Sequence, residues 1–159
     1  MGSAVNLSES YRFRIAGELL TFFKKYGESY EHVLMKALGY AMFLPTHPTL
    51  EIEKGIGVRY KPDLIALDAH GKPAFWGECG HVGLRKVAWL AKHSGARQIA
   101  IFKLGIVARH FISQLHEAIE PRYRPPSRIC LINFGAAVID EVGEDLHEIP
   151  EHWYERHEI

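Results

Sequence analysis

One stretch, Pro73 to Lys103, restricts the fold more than any other. PAFWGEC (73–79) reads as a short strand, and RQIAIFK (97–103) reads as a second, buried one. Between them Leu84, Val87, Ala88 and Ala91 recur at helical spacing until Ser94-Gly95 ends the pattern. A strand, a helix and a strand in this order demand a right-handed crossover and a parallel pair. Just upstream, KPDLIALD (61–68) runs into PAFWGEC through AHGK, which suits a tight hairpin and an antiparallel pair. With both kinds of neighbour, the sheet is mixed.

The remaining segments extend this core. YRFRIA (11–16) is strand-like, and from Glu28 to Phe43 the residues Tyr30, Val33, Leu34, Ala37, Leu38, Ala41 and Met42 fall at helical spacing until Pro45 and Pro48 stop it. Leu50 to Lys54 is a further strand, GIVARHFISQLHEAI (105–119) a helix and RICLINF (128–134) a last strand. The order helix, three strands, helix, strand predicts an α/β fold, a mixed sheet flanked by helices, with its core at about residues 26–134. A chain of 159 residues suits one domain, 1–159, with residues 140–159 as an acidic C-terminal segment. Hydrophobic residues at 47% and charged residues at 24% exclude a disordered or low-complexity class. No run approaches the roughly 18 apolar residues of a membrane span. The start MGSAVNLSESYR lacks the basic-then-apolar order of a signal peptide, so a cytoplasmic protein without a membrane partner is expected. Cys79 and Cys130 form no CxxC pair, which leaves neither a disulfide scaffold nor a zinc ribbon.

A formal net charge of +0 hides a division along the chain. Residues 1–139 carry 18 Lys and Arg against 11 Asp and Glu, while residues 140–159 carry eight acids against Arg156 alone. A basic body suits a polyanionic partner, nucleic acid above all. The acidic segment reads either as a solvated terminus or as a cover for that basic surface.

The chemistry concentrates in the hairpin. With its turn centred on His70-Gly71, Leu67 faces Ala74, Ile65 faces Trp76, and Asp63 faces Glu78. Two opposed carboxylates are costly unless they share a proton or a cation, and oxygen ligands of this kind suit Mg²⁺ or Mn²⁺. On the first helix Glu31 lies about 60° from the centre of the apolar stripe and Glu28 about 120°, so Glu31 is the one turned toward the sheet edge. It could complete an acidic pocket for phosphodiester hydrolysis, or merely compensate the charge of a helix N-terminus.

These residues, in this order, resemble the PD-(D/E)xK nuclease superfamily. Within it, GESYEHVLMKALGYAMFL, KPDLIALD and WGECGHVGLRKVAWLAKHSGARQIAIF, spanning about residues 26–104, are similar to the YaeQ branch. The resemblance implies a restriction-endonuclease-like αβββαβ core and a metal-dependent nuclease. It implies Glu31, Asp63 and Glu78 as metal carboxylates, with the Cys79 carbonyl as a further ligand. It also exposes a departure, because the motif lysine two residues after Glu78 is here Gly80. That lysine orients and stabilises the attacking hydroxide, so its loss removes an electrostatic contribution and leaves the metal carboxylates in place. Arg85 and Lys86, in the first turn of the next helix, are the nearest replacements. Lys86 is the candidate catalytic cation and Arg85 a candidate nucleic-acid contact, although periodicity turns Lys86 away from the core stripe. In PRYRPPSR (121–128), Arg122, Arg124 and Arg128 surround Tyr123, an arrangement that suits phosphate contacts with base stacking or a plain soluble connection. The expected activity is a metal-dependent phosphodiesterase, weakened at Gly80. The alternative is a non-catalytic nucleic-acid-binding or protein-interaction module. His147, His152 and His157 recur every five residues and share no helical face, Gly55-Ile56-Gly57 lacks a dinucleotide fingerprint, and no Walker A or GxSxG pattern occurs.

Overall fold

The computed structural model describes residues 9–159, so the first eight residues of the signal-peptide reading lie outside the described residues. The expected α/β class with a mixed sheet holds. A hairpin of β1 (Glu9–Ile15) and β2 (Glu18–Lys24) precedes helix α1 (Tyr30–Phe43). Then follow β3 (Glu51–Ile52), β4 (Leu64–Leu67), β5 (Pro73–Cys79), α2 (Leu84–His93), β6 (Gln98–Leu104), α3 (Ala108–Ala118), β7 (Ile129–Phe134), a single turn α4 (Val138–Glu141) and β8 (Tyr154–Glu158). Among the described residues, β3 to β8 form one sheet in sequence order. The pairs β5–β6 and β6–β7 are parallel and the others antiparallel, as the strand, helix, strand run demands.

Side-chain alternation along the strands divides the core between the two faces of the sheet. Leu64, Phe75, Cys79, Ala100, Phe102, Ile132 and Phe134 meet α1 and the β1–β2 hairpin on one face, whereas Ile65, Trp76, Ile99, Ile101 and Leu131 meet α2 and α3 on the other. Helix α1 begins after Ser29, whose hydroxyl accepts from the His32 N–H at 3.2 Å, so Glu28, the first residue of the expected segment, sits before the cap and outside the helix. Its fit on the sheet depends on Gly39, where a Cβ would stand 2.8 Å from Cζ of Phe102. No larger residue allows that approach without moving the ring.

Two expectations are corrected. The hairpin turn is not centred on His70-Gly71. Asp68 and Lys72 close it instead, with the Asp68 carboxylate accepting from the His70 and Lys72 N–H groups and Gly71 taking a φ of +76°. This makes Leu67 face Pro73, and Ala74 becomes the extra residue of a bulge. The bulge restores the register, so Ile65 still faces Trp76. The second correction concerns residues 140–159, which are neither a solvated tail nor outside the core. Leu146 is buried, Glu144 O and Leu146 N bond to the Arg14 backbone, and β8 pairs with β7 along its length. The acidic side chains remain exposed while the backbone completes a sheet edge. Among the described residues no helix is long and apolar enough to cross a membrane.

Candidate active site

The open end of the β4–β5 hairpin gathers charge. Glu78, on β5, is 3% exposed and turns toward α2, where Lys86 Nζ reaches its Oε2 at 3.0 Å and the Trp76 indole N–H donates to its Oε1 at 2.9 Å. Lys86 thus leans back from its surface position and meets the carboxylate. Burial first, and then the negative charge of Asp63, push the Glu78 carboxyl up to about 7 against the pull of Trp76 and Lys86.

Asp63 precedes β4 by one residue, and its Oδ2 accepts from the Cys79 N–H at 2.8 Å. Its Oδ1 lies 3.5 Å from His32 Nε2, on α1. Burial raises the Asp63 carboxyl, but hydrogen bonds from His32 and the Cys79 N–H outweigh it and hold the group below its ordinary range. The two carboxylates therefore lie on adjacent chain segments and feel each other's charge, yet each has its own donors. The Cys79 thiol beside them is driven well above its ordinary value by burial and by both acids, which leaves it an inert core group.

Position 80 leaves no room for a side chain. Its φ is +80°, and a Cβ there would stand 2.9 Å from His32 Nδ1. The imidazole occupies the space a side chain at position 80 would need, and its Nε2 bridges Glu28 at 3.1 Å and Asp63 at 3.5 Å. A partly buried ion network continues from there. Lys36, 3% exposed, pairs with Glu28 at 3.4 Å and with Glu53, and Glu53 also pairs with Lys25 at 2.8 Å. For Lys36 burial acts to lower the ammonium pKa, but the two acids win and the group is held above its ordinary value. Glu53 adopts a φ of 53°, and its N–H bonds to the Asp63 carbonyl, which ties the network to the strand carrying the candidate site.

The other expected residues are dispersed. Glu31 is half-buried and lines a cavity of about 540 Å³ with Glu28, His32, Gly80, His81 and Lys103, but neither Asp63 nor Glu78 is its partner. His32, held by Glu28, connects α1 to Asp63, and Glu31 does not. Lys103, on β6, donates to the Gly80 carbonyl and lies over the Phe111 ring; burial lowers its ammonium pKa. Arg85 is exposed. In the 121–128 loop, Arg128 donates to the carbonyls of Ala91, Ala96 and Tyr123, Arg124 donates to the Ile119 carbonyl, and Arg122 pairs with Glu120 at 3.3 Å. Arg128 and Arg124 brace the loop. Only Arg122 of the three keeps its guanidinium at the surface without a backbone partner.

Among the described residues no three His, Cys, Asp or Glu side chains are grouped to hold a metal ion. Two carboxylates remain, Asp63 and Glu78, whose oxygen donors match in kind what Mg²⁺ takes from proteins, one or two carboxylates plus water. A cation there would compete with Lys86 for Glu78.

No protein-family model matches the chain, and no curated protein matches it. Solved structures do. The YaeQ protein from Pseudomonas syringae superposes with a TM-score of 0.65 at 14% identity, over 92% of this chain and 86% of that one. The YaeQ protein from Xanthomonas axonopodis pv. citri gives 0.61 at 19% identity, over 87% and 81%. At these identities the likeness establishes that the chain has a YaeQ-like fold.

Proposed function

We propose that the protein is a divalent-metal-dependent phosphodiesterase acting on nucleic acid, of the PD-(D/E)xK type, with Asp63 and Glu78 as the metal carboxylates and Lys86 as the catalytic cation. The observation that carries this reading is the 3.0 Å contact between Lys86 Nζ and Glu78 Oε2. It brings an ammonium to Glu78 from α2, while Gly80 and His32 leave no room for a side chain just after β5. A bound Mg²⁺ or Mn²⁺ would supply hydroxide and neutralise charge on the scissile phosphate. Asp63, pinned by the Cys79 N–H, is preoriented for such an ion. Lys86, once released from Glu78, places its positive charge against the phosphate or the attacking oxygen. His32 holds Asp63 from the α1 side and acts as a positioning residue.

A second reading, a non-catalytic binding module on the same fold, is favoured by one observation: both Glu78 oxygens already have protein donors. Crystals soaked in Mn²⁺ separate the two. Anomalous density between Asp63 and Glu78, absent in Asp63→Asn, is expected for the phosphodiesterase, whereas an undisturbed Glu78–Lys86 pair with no density selects the binding module.

A further inference from the structure

Both walls beside the candidate site are basic. The segment 54–62 contains Lys54, Arg59 and Lys61 and no acid; helix α2 contains Arg85, Lys86 and Lys92 and no acid. They meet through aromatic rings. The Tyr60 ring lies edge-on to Trp89 at 5.2 Å, and Trp89 continues to His93 at 5.6 Å. Two cations share the Tyr60 ring, Lys86 Nζ at 5.1 Å and the Arg59 guanidinium carbon at 5.3 Å. Arg59, Lys61 and Arg85 are exposed and, among the described residues, take part in no ion pair. Lys54 is paired with Glu51 at 3.0 Å.

We propose that the basic surface formed by residues 58–61 and α2 binds the backbone of a single-stranded nucleic acid, with Arg59 as a phosphate-binding residue and Tyr60 as the positioning residue for Arg59 and Lys86. This deepens the phosphodiesterase reading and rests on it for the role of Lys86. The physical argument is charge. Two like charges on one ring repel, and the ring's negative face offsets part of that repulsion. An anion lying between them removes the rest. Lys86 also pairs with Glu78 at 3.0 Å, so a backbone following the cations along this surface is led to that end of the candidate site. Beyond Tyr60, whose ring is engaged by the two cations, half-buried Trp89 and exposed His93 are the rings left to meet unpaired bases, which a duplex keeps inside its own stack.

Binding of a fluorescein-labelled oligothymidylate, followed by anisotropy in EDTA over a range of salt concentrations, tests this surface without catalysis. Arg59→Ala is expected to weaken binding about five- to tenfold and to lower the slope of log affinity against log salt by about 0.7, the share of one phosphate contact on a single strand. Tyr60→Leu should weaken binding similarly while Tyr60→Phe, which keeps the ring face, restores it. Arg59 is exposed, so its replacement leaves folding intact and the test readable even if Tyr60→Leu is unstable. An Arg59→Ala protein with wild-type affinity and salt slope overturns the proposal, as does tighter binding of a duplex of the same length. Binding that follows the expected pattern in a wild-type protein that never cleaves the strand with Mn²⁺ sustains the binding surface and removes the phosphodiesterase.

Discussion

Replacing Glu78 by Gln should flatten the stability profile of the metal-free protein between about pH 4.5 and 7. The native carboxyl sits at about 7 and the ordinary value is 4.5. Between those values the folded protein keeps a proton that the unfolded chain gives up, so stability falls as pH rises through the window and levels off above it. At about 1.4 kcal/mol per pH unit the accumulated loss is about 3 kcal/mol, a large share of a domain's stability. Glutamine keeps the shape and a hydrogen-bond acceptor for the Trp76 indole N–H but cannot ionise, so the variant loses this component. Urea unfolding at closely spaced pH values, wild type minus variant, isolates it from the histidines common to both. Lys86→Met should extend the wild-type loss to higher pH, because the ammonium pulls the Glu78 carboxyl down. Asp63, held below its ordinary value, acts with the opposite sign and only at more acidic pH, where its protonation removes stability. Identical pH slopes for wild type and Glu78→Gln would refute the picture of a carboxyl strained by burial and by Asp63.

Two further outcomes follow from packing. Gly80→Ala must adopt a left-handed backbone, at about 1–2 kcal/mol, and also displace His32; chemical denaturation should show a loss above that range, and Gly80→Lys should lose stability without gaining activity. Arg128→Ala should cost about 2–4 kcal/mol by leaving three carbonyls without their charged donor, while Arg122→Ala should change the same denaturation midpoint little.

The legible parts of the fold are those where local pattern and tertiary burial agree. β5, β6 and β7 are apolar because the sheet is covered on both faces, and their crossover requires parallel pairing. The Ile65–Trp76 pairing was counted from a turn centred on His70-Gly71 and holds only because the bulge at Ala74 offsets the odd loop that Asp68 closes. β2 escaped because Leu19 and Phe23 face solvent while Leu20 and Phe22 face the core, which erases the alternation of two. β8 escaped because an edge strand of charged residues reads as a solvated run. At the candidate site, the nearness of Asp63 to Glu78 was legible in the hairpin, whereas the Lys86–Glu78 contact was not, because helical periodicity turns Lys86 outward. Glu28, His32 and Glu53 could not be named, since chain segments distant in sequence bring them together. One signal was present: Lys36 falls within the apolar stripe of α1, and a lysine on a core face needs an acid. Composition could not reveal that Arg124 and Arg128 are spent on carbonyls, because a guanidinium that braces a loop and one that binds phosphate look alike in sequence.

The most direct test is metal-dependent cleavage of labelled single-stranded oligonucleotides by wild type, Asp63→Asn, Glu78→Gln and Lys86→Ala. The metal carries most of the charge neutralisation and a single positioned donor about 10² to 10³ in rate. Cleavage should therefore require Mg²⁺ or Mn²⁺, vanish in both carboxylate variants and fall by about that factor in Lys86→Ala. A wild-type protein that binds the oligonucleotide and leaves it intact with either metal, or cleavage that persists undiminished in Asp63→Asn, would contradict the assignment of this site.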